Sequence, residues 1–371
     1  MRIADARGLW EPETTYLNTA SYGLPPRPAW DALQAALDDW RVGRTSWEHW
    51  GESAEAARGA FARMCSVPID WVAIGANAST MVGLVAAALP DGARVLSVEG
   101  EFTSALWPFM AQGRGVEVRT VPLAELAGAV DAGTDAVAFG AVQSSDGRIA
   151  DIDAIAAAAA DHGALTVVDA TQACGWLPVD ASRFDVLVCS AYKWLLSPRG
   201  SAFMTLRPEV AERLTPHGAG WYAGDDPYAS FYGEPLRLAR EVRRFDVSPA
   251  WFSWVGTAPA VELLVEIGVE QIHEHALGLA NDFRRGLGLE PGDSAIVAAE
   301  VEGVEELLRD SGVMAAARAG RLRTSWHVYN DDNDVARALE VVSAGAAHAR
   351  SRLHRPGRIP EPASGLSKAD G

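Results

Sequence analysis

Lysine is nearly absent from this chain. Of its 32 basic residues only Lys193 and Lys368 are lysines; the rest are arginine. Arginine supplies charge, whereas a lysine amine can attack a carbonyl and form an imine. Lys368 lies in a polar stretch, but Lys193 lies in the run Cys189-Ser190-Ala191-Tyr192-Lys193-Trp194-Leu195-Leu196. Asp169 closes another apolar run, Ala164-Leu165-Thr166-Val167-Val168. A carboxylate there needs a cationic partner, because desolvating an ion is costly; alone, it reads equally as a helix cap. Gln172 follows one turn later, and its neutral amide can donate to a delocalised anionic oxygen or be an ordinary exposed side chain. Gly75-Ala76-Asn77-Ala78-Ser79-Thr80 joins a strand to a helix. Free backbone N–H groups there favour a phosphate, with a hydroxyl from Ser79; capping by Asn77 or Ser79 competes with that reading. Ser190 is a second phosphate candidate. Arg323 offers a bidentate fork to a carboxylate, or a surface ion pair.

An imine-forming lysine, a carboxylate for a pyridine nitrogen, a donor for a phenolic oxygen, a phosphate cradle and a carboxylate-binding arginine are what pyridoxal 5′-phosphate (PLP) asks of a protein. The cofactor carries the organic chemistry, and the protein binds, orients and tunes it.

Strand ends must gather these residues. Trp71–Gly75, Arg94–Val98, Val116–Val121, Asp135–Gly140, Ala164–Val168, Val186–Ser190 and Ser201–Leu206 read as strands. Ala54–Cys65, Ser79–Leu89 and Asp151–His162 between them read as helices. Strands apolar on both faces that alternate with helices predict an α/β fold with a mostly parallel sheet. Lys193 then follows a strand, where loops usually carry ligands. Residues 216–250 are loop-like, rich in Gly and aromatics. A helix over Gly256–Leu279, a strand over Ala295–Val301, a helix over Val304–Asp310, a strand over Arg321–Val328 and a helix from Asp332 to Ala347 predict a smaller α/β unit. After Arg350, Pro356, Pro360 and Pro362 with Gly and Ser point to a disordered tail.

Composition excludes other classes. A net charge of −17 without a basic stripe argues against nucleic acid. No apolar run reaches the ~18 residues of a membrane span. Met1–Trp10 lacks the apolar core of a secretory signal, so a cytoplasmic location is expected. Cys65, Cys174 and Cys189 show no CxxC spacing, which fits a reducing compartment. His273 and His275 sit two apart in an expected helix, so they read as surface residues and no metal site is expected.

In this order, the residues resemble the class V aminotransferases, PLP enzymes of fold type I that include cysteine desulfurases, kynureninase and isopenicillin N epimerase. The resemblance runs from Tyr16-Leu17-Asn18-Thr19-Ala20-Ser21 to Asn330. Its most specific parts are Val168-Asp169-Ala170-Thr171-Gln172-Ala173, Ser190-Ala191-Tyr192-Lys193 with Ser197-Pro198-Arg199-Gly200, and Leu322-Arg323-Thr324-Ser325 with Tyr329-Asn330. It implies a large cofactor domain (46–255) with a mostly parallel central sheet and a small C-terminal α/β domain (256–347). An N-terminal segment (1–45) packs with the small domain, and a tail spans 348–371. By the resemblance Lys193 is the Schiff-base lysine, Asp169 the pyridine partner and Gln172 the phenolic-oxygen donor. Ser79, the Ala78 backbone and Ser190 hold the phosphate, and Phe102 covers the cofactor face. Arg323 takes the substrate carboxylate, with Asn18 and Ser21 beside it. Arg243–Pro249 matches a segment that crosses a dimer interface, with Ser248 in place of a threonine, which implies a homodimer with shared sites.

The chain departs from the pattern in three places. Phe102 stands where desulfurases have His, and it can stack but not move protons. The loop Gly312–Gly320 lacks the desulfurase cysteine. Tyr192 stands where many members have His, and reads as an acid/base or as packing. The expected activity is an aminotransferase acting on an amino acid or related amine. β-Elimination, including C–S lysis, stays open. So does epimerisation, which needs a second acid/base such as Tyr192 or His327. A desulfurase ranks below these, and a non-catalytic PLP-binding protein ranks last because Lys193, Asp169, Gln172 and Arg323 are all intact. Some of Trp47, Trp50, Trp221, Tyr222, Trp251, Trp254 and Trp326 are expected to line the site's entrance.

Overall fold

The computed structural model describes residues 1–45, 47–301, 308, 311–318 and 320–353. After a short β1 (Thr15–Tyr16), seven strands form the main sheet: β2 (Val72–Gly75), β3 (Arg94–Val98), β4 (Glu117–Val121), β5 (Ala136–Gly140), β6 (Leu165–Asp169), β7 (Val186–Ser190) and β8 (Ala202–Leu206). Their order is β2-β8-β7-β6-β5-β3-β4, and of the seven β8 alone runs against the others. The expected α/β architecture is therefore present. Every residue of β5 and of β7 is buried, as strands covered on both faces must be.

Local signals set the helix ends. Asp151 accepts from the Ala154 N–H at the start of the helix Ile152–His162, and Gly163 ends it at φ 70°. Asn77 does the same for Ala78–Ala88, accepting from the Thr80 N–H at 3.0 Å. The helix expected over Gly256–Leu279 is instead two, Trp251–Ile267 and Val269–Gly286, bent by 82°. Gly268 between them has φ 93°, which an L side chain rarely adopts. Among the described residues, no single helix is long and apolar enough to cross a membrane.

In the C-terminal unit, β9 (Ile296–Ala299), β11 (Ala316–Arg318) and β12 (Arg321–Ser325) form an antiparallel sheet in the order β11-β12-β9. Between β9 and β11, β10 (Val313–Met314) pairs instead with β1, in parallel. The N-terminal segment thereby adds a strand to this unit. The helix expected over Val304–Asp310 lies, but for Leu308, outside the described residues. The last helix runs Asp332–Leu353, past the expected end at Ala347; the rest of the expected tail lies outside the described residues.

The tryptophans are mostly packing. Trp254 and Trp326 are fully buried, and Trp50 packs on Phe252. Trp47, Trp221, Tyr222 and Trp251 gather with Tyr228 and Phe231 in one aromatic cluster. The surface reading of His273 and His275 is corrected. Both are half-buried, with His273 stacked on Trp176 and His275 bonded to the Asn330 carbonyl oxygen at 3.0 Å.

One buried ion pair joins distant parts of the large unit. Arg58, on the helix Trp47–Met64, meets Asp246 at 2.6 Å, and Asp246 also accepts from the Ile74 N–H at 2.8 Å. Both side chains are buried. Removing one partner would leave the other charge desolvated and unpaired. We therefore expect Arg58→Ala to cost about 3–5 kcal/mol of stability, measured by urea unfolding.

Candidate active site

The C-terminal edge of the parallel strands builds the site, where ligands bind in such sheets. Asp169 is the last residue of β6, and Lys193 lies three residues beyond β7 in the connection to β8. Strand register sets Gly140 beside Asp169. The resulting pocket is lined by Ala78, Phe102, Asp169, Gln172, Ser190, Tyr192 and Lys193, together with Glu101, Ser104, Gly140, Val142, Ser144 and Thr171. A separate cleft at the opposite ends of these strands, among Leu165, Arg183 and Arg207, contains none of the candidate residues.

Lys193 is 6% exposed. Among the described residues its amine has no hydrogen-bond or ion-pair partner, and it sits 5.1 Å from the centre of the Phe102 ring. Burial pulls its pKa down to about 8, against the attraction of Asp169 and with help from the Arg323 charge. The backbone around it is closely held. A Cβ on Gly23 would fall 2.0 Å from the Lys193 carbonyl oxygen, so only glycine lets the N-terminal segment approach. The Gly23 N–H donates to the Tyr192 carbonyl at 2.9 Å.

Asp169 is also buried. One of its oxygens accepts from the Thr171 N–H at 2.9 Å, and the Thr171 hydroxyl accepts from the Ser190 N–H at 3.0 Å. The other Asp169 oxygen makes no hydrogen bond among the described residues, so it is free for a cationic N–H. The Ser190 hydroxyl accepts from the Ala78 N–H at 3.1 Å, at the start of a helix. An uncommitted amine, a half-satisfied carboxylate and a helix start beside a serine fit the demands of PLP.

Two candidates are placed differently from expectation. Gln172 lines the pocket, but its amide nitrogen donates to the Ala20 carbonyl at 3.0 Å and the Ser144 hydroxyl at 3.1 Å, while its oxygen accepts from Trp194 Nε1 at 2.7 Å. Both N–H groups are committed to protein partners, so the amide holds the walls together rather than offering a free donor. The Ser79 hydroxyl donates to the Asn77 side chain at 2.8 Å and takes part in capping; the neighbouring Ala78 is the one that lines the pocket. Ser248 is exposed and does not line the pocket of its own chain.

Arg323 is 2% exposed. Its Nη2 donates to the Ser21 hydroxyl at 2.7 Å and its Nη1 to the Ser144 carbonyl oxygen, while its buried Nε has no acceptor. Burial and the Arg318 charge lower its pKa to about 10. Asn18 is joined to Ser325 by an isolated bridge, and its buried Oδ1 also lacks a partner. Tyr192 packs between Tyr22 and the Arg199 guanidinium, and burial raises the pKa of its phenol. His327 stands apart from the pocket. Its Nδ1 accepts from the Val328 N–H at 2.7 Å, which makes Nε2 the donor to the Trp194 carbonyl at 2.9 Å. Burial lowers its pKa to about 4, so the ring stays neutral. Cys65, Cys174 and Cys189 are buried, and none lines the pocket.

Sequence reasoning missed Ser144, which touches both Gln172 and Arg323. Its signal was its place four residues beyond β5, on the edge that carries Asp169. Glu101, the residue before Phe102, was missed as well. It accepts from the N–H groups of Phe102 and Gly140, both at 2.8 Å, and so fixes the start of the Phe102 segment.

A family model described as aminotransferase class-V matches residues 33–302. An uncharacterized aminotransferase, YcbU of Bacillus subtilis, is 28% identical over 90% of this chain and 95% of its own length. Isopenicillin N epimerase of Streptomyces clavuligerus is 29% identical over 93% of this chain and 99% of its own. Among solved structures, an apo cysteine desulfurase from Thermococcus onnurineus matches with a TM-score of 0.80 at 21% identity, covering 94% of this chain and 99% of that one. The C–S lyase C-DES, in a mutant with glycine covalently linked to its PLP cofactor, matches with a TM-score of 0.82 at 20% identity, covering 92% and 99%. At these identities the two structures establish the fold.

A lysine amine reacts with an aldehyde only when neutral. With its pKa at about 8, Lys193 is mostly ammonium below that pH and mostly free amine above it. Reductive alkylation by a small aldehyde, followed residue by residue by mass spectrometry, should therefore accelerate at Lys193 through about pH 8. An unburied lysine accelerates near ~10.4.

Proposed function

The chain belongs to the aminotransferase class-V family of PLP-dependent enzymes, and on that premise we propose that it is an aminotransferase acting on an α-amino acid. The observation that carries this reading is the Lys193 amine: buried, without a protein partner, and lowered toward neutrality beside Asp169. When bound, PLP supplies an electron sink for the bond broken at the substrate's α-carbon. Asp169, with one oxygen unbonded among the described residues, would accept from the N–H of the ring nitrogen. The Ser190 hydroxyl and the helix start at Ala78 would hold the phosphate, and Phe102 would pack beside the ring. Lys193 anchors the cofactor and moves the proton at the α-carbon. Arg323 holds the substrate carboxylate, with Ser21 and Asn18 setting its surroundings. Tyr192, whose phenol is kept protonated, serves as a donor at the rim. The exposed Ser248, on the segment tied down by Asp246, is assigned to the phosphate of a second protomer, which makes the working unit a homodimer.

Two rival reactions have less support here, although Tyr192 lines the pocket and keeps epimerisation open. Epimerisation wants a second acid/base on the far face, and His327 has both ring nitrogens on backbone partners. Desulfuration wants an accessible cysteine, and the three present are buried away from the pocket.

The purified protein loaded with PLP should show a visible absorption band that Lys193→Ala abolishes. Amino acids added one at a time should bleach it with release of a keto acid and no ammonia; ammonia would instead identify elimination. Arg323→Lys should lower kcat/KM by about tenfold or more, mainly through KM, because an ammonium cannot reproduce the fork.

A further inference from the structure

Arg318 ends β11, whose register places Ala316 opposite Arg323 on β12. Its Nη2 lies 3.4 Å from the Ser21 hydroxyl, the same oxygen that accepts from Arg323 Nη2 at 2.7 Å. Two guanidinium groups thus converge on one neutral oxygen. Among the described residues neither has a carboxylate partner. Arg318 otherwise donates only to the Ala317 carbonyl at 2.9 Å, and Arg323 otherwise donates only to Ser144. The buried Arg58, by contrast, is matched by both Glu55 and Asp246. Arg318 also helps to depress the pKa of Lys193, so its charge is felt inside the pocket. Two neighbouring guanidinium groups without a carboxylate partner among the described residues, and a buried Nε without an acceptor, leave the compensating charge to a ligand. One carboxylate satisfies one guanidinium fork, and this corner has two forks.

We propose that the substrate is a dicarboxylic amino acid, with its α-carboxylate on Arg323 and the carboxylate of a short side chain on Arg318. The assignment rests on the aminotransferase reading for the first carboxylate and adds the second. Arg318 is the more exposed of the two, which sets the side-chain carboxylate toward the mouth of the site and the α-carboxylate at its wall.

The test is calorimetric titration of the PLP-loaded protein with glutarate and with glutaramate, the same skeleton with one carboxylate replaced by an amide. Glutarate should bind at least about tenfold more tightly, the worth of one good charge-assisted pair. The preference should collapse toward unity in Arg318→Gln and return in part in Arg318→Lys. Equal binding of the two ligands by the unaltered protein would overturn the proposal, and so would equal weakening of both in Arg318→Gln. Turnover of L-glutamate, L-glutamine and L-alanine separates this inference from its premise. If neutral amino acids yield keto acids and glutarate is not preferred, the dicarboxylate assignment falls and the aminotransferase stands. If no amino acid is converted but glutarate is preferred through Arg318, the binding corner stands and the reaction falls.

Discussion

The geometry of the site depends on how tightly Trp194 is held. Its indole N–H donates to Gln172, its carbonyl accepts from His327, and a Cβ on Gly175 would lie 2.3 Å from that carbonyl. The residue before it, Lys193, presses its own carbonyl against Gly23. Two residues on, Leu196 takes φ 56°, a left-handed conformation that costs a branched side chain on the order of 1 kcal/mol. A short loop accepts such a cost only when its neighbours over-determine it. Held from both sides in this way, the backbone leaves the Lys193 side chain one direction, into the pocket. That is why its amine can be buried without a partner of its own.

The same framework separates charge by purpose. The chain as a whole is acidic, with a net charge of −17, yet its pocket edge concentrates Lys193, Arg318 and Arg323. Only Asp169 and Glu101 answer them among the lining residues. Burial pushes the Glu101 carboxyl up, against three hydrogen bonds that favour its ionised form. Asp169 therefore carries the electrostatic balance of the lysine. Using arginine for ordinary surface charge keeps other lysine amines out of this region.

Much of this was legible in the sequence where one residue type has few uses. An amine in an apolar run and an aspartate ending a buried strand are costly unless they bind something, and both line the pocket; Arg323, a candidate for a carboxylate, reaches the lining residue Ser144. The main-sheet strands were readable within a residue or so because β5, β6 and β7 are apolar on both faces. Other features depend on partners that are distant in sequence. Gln172 could not be seen to be taken up by Ala20, Ser144 and Trp194. Ser79 could not be distinguished from Ala78 until Asn77 was seen to claim its hydroxyl. The helix Thr103–Met110 carries Pro108 and little polar periodicity, so nothing marked it. The bend at Gly268 was hidden because apolar periodicity runs through the residues on both sides of it, while the break is set by one backbone angle.

The carboxylate corner is closed by a hydrogen bond between Ser21 and Arg323, 302 residues apart in sequence. The lysine, the aspartate and the helix Ala78–Ala88 all lie before residue 200, while Arg318 and Arg323 come after residue 300. Translation runs from the N-terminus and domains fold as they emerge, so the half of the site that grips an aldehyde is made first. The half that holds the two arginines arrives more than a hundred residues later and must find the turn at Ser21, made at the outset. A nascent chain thus passes through a stage at which the lysine's side of the pocket exists without the arginine corner. The arginine corner is the last part of the site to leave the ribosome.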